Sequence, residues 1–128
     1  MKTDTSGKCY NEEEVNDMDE LMAYLRKFND ERDWHQFHTP NNLAKSIVLE
    51  ANELLEHFQF SPEGFDRSQV CEELADVMTY CLDMCDALDV DPLQIIYAKM
   101  KKNAEKYPAD QCRGSSQKYT AYLQKKDC

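Results

Sequence analysis

Long stretches of this chain repeat apolar residues at helical rather than strand spacing, and only three glycines, Gly7, Gly64 and Gly114, interrupt them. That combination predicts an all-α fold. Val15, Met18, Leu21, Met22, Leu25 and Phe28 form one stripe, which places a first helix over about residues 14–32. The segment Asp33-Trp34-His35-Gln36-Phe37-His38 breaks the pattern. Thr39-Pro40 then starts a second helix, with a hydroxyl to cap free amides and a proline where its missing N–H is not needed, and Ser61-Pro62-Glu63-Gly64 stops it. A third helix is expected over about residues 67–88, and a fourth opens at Asp91-Pro92 and runs to Tyr107, ahead of Pro108. The whole reads as a single domain over residues 1–128, with a flexible N-terminus at 1–13 and a polar, lysine-rich arm at 109–128.

A formal net charge of −10 opposes any duty that begins with wrapping polymeric nucleic acid or lying on an anionic membrane, since both require a dense basic surface. A single nucleotide, whose charge cations can screen locally, is not opposed. No stretch approaches the roughly 20 apolar residues that span a bilayer, and the opening residues lack the apolar segment of a secretory signal, so a cytoplasmic location is expected. The six cysteines are accordingly expected as thiols.

The acidic residues carry the chemistry. With Glu50 as zero and roughly 100° per residue, Leu43, Ala44, Ile47, Val48, Ala51, Leu54, Leu55 and Phe58 fall on an arc of roughly 20° to 160°, and Glu53 near −60°. On the third helix, with Glu73 as zero, Val70, Leu74, Val77, Met78, Cys81, Cys85 and Leu88 span roughly 40° to 140°, and Asp76 again lies near −60°. Two matched carboxylate pairs at the border of two apolar faces predict a metal site, because four such groups brought together need a positive charge between them. All-oxygen ligation suits Mg²⁺, with Mn²⁺ as the other candidate. A di-iron site calls for Glu-x-x-His pairs, and neither Glu50 nor Glu73 has a histidine three residues on. His57, one turn after Glu53, is a candidate supporting partner. On the fourth helix, Lys99, Asn103 and Lys106 share an arc of about 60° that would suit phosphate oxygens, or else form a solvated, lysine-rich helix end.

Glu50-Ala-Asn-Glu53, Glu73-Leu-Ala-Asp76 and Lys99-Met-Lys-Lys-Asn103-Ala-Glu-Lys106-Tyr107-Pro108 together resemble the MazG-like, all-α nucleoside triphosphate pyrophosphohydrolases. The likeness extends to the dCTP pyrophosphatase branch through Glu31-Arg32-Asp33-Trp34, Gln36-Phe37-His38, Phe58-Gln59, Arg113-Gly114-Ser115 and Lys118-Tyr119-Thr120, covering about residues 15–120. Phe60 stands where that branch commonly has tryptophan, and Leu49 replaces an acidic residue that often precedes the first ligand in the wider family.

The resemblance implies a four-helix, oligomeric MazG-like fold, a homotetramer with a dimer as the alternative. It implies a Mg²⁺-dependent hydrolase that cleaves dNTPs, dCTP favoured, to the monophosphate and pyrophosphate in nucleotide-pool housecleaning. By the same carry-over Glu50, Glu53, Glu73 and Asp76 are metal ligands. For catalysis the candidates are Glu53 and Glu50, because a carboxylate that metal does not saturate can take a proton from water, and Glu53 is the expected base. Lys99, Asn103 and Lys106 hold phosphates, Trp34 and His38 enclose base and sugar with Phe60 as a stacking residue, Tyr107 joins the substrate-binding set, and the tail with Arg113, Lys118 and Tyr119 closes over the substrate. The competing reading is a noncatalytic nucleotide or metal sensor of the same fold.

Overall fold

A computed structural model describes residues 15–60, 63–118 and 120, together with the backbone of 2–3 and 9–10. The expected flexible stretch at 1–13, apart from that backbone, and Tyr119 lie outside the described residues. Strands β1 (Lys2–Thr3) and β2 (Cys9–Tyr10) make a two-residue antiparallel ribbon, Lys2 opposite Tyr10. Every longer element among the described residues is helical: α1 (Met18–Glu31), a 3₁₀ turn (His35–Phe37), α2 (Pro40–Glu56), α3 (Arg67–Ala87), α4 (Pro92–Lys106) and the one-turn α5 (Ala109–Cys112). The all-α class is therefore the one the apolar spacing predicts. None of these helices is long and apolar enough to cross a membrane.

Caps set the helix limits. The Asp17 side chain accepts from Glu20 N–H at 2.8 Å, and the Glu20 carboxylate accepts from Asn16 N–H at 2.9 Å, so α1 starts at Met18, later than the stripe alone suggests. Val15 is left outside the helix and exposed. Thr39 caps α2, Asp66 caps α3 and Asp91 caps α4. At the other ends, Asp33 and Asp89 both adopt φ of 53°, the left-handed conformation that lets the chain leave α1 and α3 sharply. The second helix ends at Glu56, short of its expected stop, and passes through tight turns in which Phe58 N–H and Gln59 N–H bond three residues back.

The chain divides into two compact units, Met1–Leu88 and Asp89–Cys128. In the first, α2 and α3 pack along each other and α1 packs on α3. Arg26 Nε donates to Asp86 Oδ1 at 2.7 Å and Asn29 Nδ2 to Asp83 Oδ1 at 3.0 Å, so α1 and α3 run in opposite directions. Leu43 is 1% exposed, the deepest side chain among the described residues, with Met22 and Cys85 beside it in the buried class. Around them the apolar arc of α2 is split. Leu43, Ile47, Leu54 and Phe58 are buried or half-buried, whereas Val48 and Leu55 remain 68% and 63% exposed. On α3, Leu74, Met78 and Cys81 are exposed in the same way, so only Cys85 of the two cysteines one turn apart is buried. None of Cys71, Cys81, Cys85 and Cys112 forms a disulfide among the described residues. The second unit consists of α4, α5 and the segment that follows, and Lys101 Nζ sits 4.5 Å above the Tyr97 ring within it.

Candidate active site

The split arc on α2 changes where Glu50 stands. Ser46, Glu50, Leu43, Leu54 and Ile47 are its buried or half-buried residues, and on the helix they are centred roughly 20° from Glu50 itself. Glu50 therefore belongs to the inward face of α2 rather than to its border. Glu53, one turn along, is exposed.

From α3, Glu73 and Asp76 approach the same point. One carboxylate oxygen from each of Glu50, Glu73 and Asp76 can be chosen so that all three lie within 4.8 Å of one another. His57 Nε2 is 3.3 Å from Glu73 Oε1, within reach of an N–H donation that would fix that carboxylate. Burial pushes the Glu50 carboxyl above its ordinary value, and the neighbouring Glu53, Asp76 and Glu73 push it further the same way. Moreover, Glu50 Oε2 is buried without any hydrogen-bond partner among the described residues. A buried carboxylate oxygen with nothing to satisfy it, facing two more carboxylates, fits a hard divalent cation such as Mg²⁺ or Mn²⁺. Glu53 stands outside the three-residue cluster but against Glu50, the carboxyl group whose pKa it raises.

Glu50 and Asp76 also line a cavity of about 340 Å³ in the first unit. Its other walls are Tyr24, Leu25, Phe28 and Asn29 of α1, Trp34 and His38 around the 3₁₀ turn, and Thr79, Tyr80 and Asp83 of α3. Within that wall Phe28 and Trp34 meet edge to face with ring centroids 5.6 Å apart. Glu50 and Asp76, two of the three clustered carboxylates, share that wall. Burial pushes the Tyr80 phenol up, and Glu50 adds to it, so that hydroxyl stays protonated beside the acids.

Of the residues selected from sequence, the structure brings Trp34, His38, Glu50, Glu73 and Asp76 together, with Glu53 at the edge. Phe60 is 88% exposed at the end of the α2 connection and is not part of the cavity wall. Lys99, Asn103, Lys106, Tyr107, Arg113 and Lys118 belong to the second unit. There Asn103 is half-buried, its side chain donating to Met100 Sδ at 3.7 Å and its carbonyl accepting from Tyr107 N–H at 2.8 Å. Sequence reasoning missed Asn29, Tyr80 and Asp83. A signal existed for each: Asn29 follows Met22 by seven residues on the apolar stripe of α1, and Tyr80 and Asp83 continue the Asp76 face along α3.

Residues 45–121 match the model of the MazG-like family. The chain is similar to human dCTP pyrophosphatase 1, 38% identical, and to its bovine counterpart, 36% identical; in each case 80% of this chain aligns. It spans 66% of the length of those two relatives. Its fold is similar to that of a pyrophosphatase from Archaeoglobus fulgidus, with a TM-score of 0.68 and 42% identity over 77% of this chain and 99% of that one. The helical pattern, the paired carboxylates and these likenesses agree: the chain belongs to the MazG-like family.

Proposed function

We propose that this protein is a nucleoside triphosphate pyrophosphohydrolase, which cleaves dNTPs, dCTP by preference, between the α and β phosphates to give the monophosphate and pyrophosphate. The observation that carries this reading is that one cavity is lined both by Trp34 and Phe28 and by Glu50 and Asp76, Glu50 Oε2 being orphaned beside it. An aromatic wall suits a base, and a carboxylate cluster suits phosphates only with divalent ions between them, because like charges at this separation repel strongly. The likeness to dCTP pyrophosphatase 1 supports the reaction type and the base.

Glu50, Glu73 and Asp76 would hold the metal, and His57 keeps Glu73 oriented. When bound, Mg²⁺ at this position supplies neutralisation of phosphate charge and acidification of a coordinated water. Glu53, exposed beside Glu50, is the carboxylate placed to take a proton from attacking water, since it lies outside the three-ligand group. Trp34 and His38 bound the base and sugar, and Tyr80 keeps a donating hydroxyl against the acids. Lys99, Asn103 and Lys106 keep the phosphate-holding role that their motif implies, and Arg113, Lys118 and Tyr119 the role of covering the substrate. The exposed apolar residues Val48 and Leu55 of α2 and Leu74 and Met78 of α3 are read as the seat of self-association into a homotetramer.

The test is product analysis. Incubation with dCTP and Mg²⁺ is expected to yield dCMP and pyrophosphate, chelation is expected to stop it, and the other dNTPs are expected to turn over more slowly. Release of dCDP and inorganic phosphate, or no release at all, would overturn the reading. Equal rates on all dNTPs would remove the dCTP preference alone.

A further inference from the structure

The cavity wall contains a buried polar pair to which the chemistry above gives no task. Asn29 and Asp83 are 4% and 7% exposed, come from different helices, and meet through Asn29 Nδ2 donating to Asp83 Oδ1 at 3.0 Å. Both line the cavity that holds Trp34 and Glu50. Among the described residues the Asp83 side chain forms no other hydrogen bond, so one oxygen is seated by the amide and the other retains its capacity to accept. Burial pushes this carboxyl up, while the Asn29 bond and the nearby His38 and His35 hold it down.

The position of Asp83 is as informative as its burial. It follows Asp76 by seven residues on α3, two turns along nearly the same face, or about 10 Å at the α-helical rise. A nucleotide whose phosphates meet the carboxylate cluster and whose ring lies against Trp34 would bring the edge of its base to this level. Carboxylates read cytosine by accepting from its exocyclic amino group, whereas uracil and thymine carry a carbonyl oxygen at that place. An acceptor facing an acceptor is repulsive, and in a buried site neither group finds water to compensate.

We infer that Asp83, seated by Asn29, is the specificity-determining residue of this site: it accepts a hydrogen bond from the exocyclic amino group of a cytosine base and turns away uracil and thymine. The inference rests on reading the cavity as a nucleotide site. Asp83→Asn separates the two roles of the pair. Its amide oxygen still accepts from Asn29, so the tie between α1 and α3 survives, but its amide nitrogen offers a donor to the base where the carboxylate offered an acceptor.

Trp34 is the only tryptophan of the chain and lines the cavity, so its fluorescence reports occupancy without turnover. Titration with dCMP and dUMP is expected to show at least about tenfold tighter binding of dCMP by the natural protein. Asp83→Asn should reduce that ratio to near unity or invert it, and the KM ratio for dCTP against dUTP should move in parallel. Asn29→Ala, which removes the seat and leaves Asp83 in place, should shift the ratio the same way and serves where Asp83→Asn does not fold. A folded Asp83→Asn protein, or an Asn29→Ala protein in its stead, that keeps the natural dCMP preference would reduce the pair to a tie between helices and overturn the inference. A dAMP titration distinguishes the two amino-bearing bases, since weaker binding of dAMP is expected and equal affinity overturns the assignment to cytosine. Should no nucleotide alter Trp34 fluorescence and no triphosphate be hydrolysed, the nucleotide reading itself falls.

Discussion

Replacing Glu50 by glutamine should stabilise the metal-free protein and remove most of its response to Mg²⁺. The reason is the crowding at the cluster, where oxygens of Glu50, Glu73 and Asp76 come within 4.8 Å of one another. Two unit charges at that distance interact by about 3.5 kcal/mol at an effective dielectric constant of 20. Asp76 is exposed and Glu73 only half-buried, so solvent screening takes most of this away, leaving about 1 kcal/mol for each neighbour of Glu50. Glutamine keeps the shape, loses the charge and sheds roughly 2 kcal/mol of repulsion from Glu73 and Asp76, to which relief from Glu53 adds in the same direction, so for a domain of this size Tm should rise by at least about 5 °C. Thermal unfolding followed by circular dichroism, with a chelator and again with Mg²⁺, reads both effects. The natural protein should melt higher with Mg²⁺, because an ion that binds only the folded state adds stability by mass action, and Glu50→Gln should gain far less. A variant that melts below the natural protein without metal, or gains as much from Mg²⁺, would refute the reasoning.

Other outcomes follow from single features of the fold. Leu43→Ala empties the deepest position, 1% exposed, and should cost about 2–4 kcal/mol, read as a lower urea midpoint with an unchanged slope. Val48→Asp combined with Leu55→Asp, at residues 68% and 63% exposed in one chain, should leave helicity intact while lowering the mass seen in sedimentation; an unchanged mass would exclude that face from assembly. Asp83 has its folded pKa raised above the unfolded value near 3.8, so its share of stability is full below that pH and is lost as pH rises through the raised value. Asp83→Asn should accordingly flatten the decline of the urea midpoint over that window, and an unaltered decline would show that other groups cause it.

Helix phase is a local property, set by roughly 100° per residue and by caps that lie a few bonds from the amides they satisfy, so it was legible in the residues themselves. Thr39-Pro40, Asp91-Pro92 and the matched spacing of Glu50 with Glu53 and Glu73 with Asp76 needed no neighbour to be recognised. Which part of a wide apolar arc turns inward is a different question, because it depends on where the adjoining helices lie. On α2 only the part of the arc nearest Glu50 is covered, which carried Glu50 inward, left Val48 and Leu55 outside and kept Glu53 in solvent. Phe60, close in sequence to the site, fell outside the cavity, whereas Asn29 and Asp83, 54 residues apart, met at 3.0 Å within its wall. By itself the sequence determined an all-helical chain carrying two pairs of acids at one helical spacing. Tertiary packing alone decided that three of those acids share one point, that the fourth stands beside them, and that a buried amide and carboxylate complete the pocket, since only the folded chain brings separate helices within the few ångströms over which charge and hydrogen bonds act.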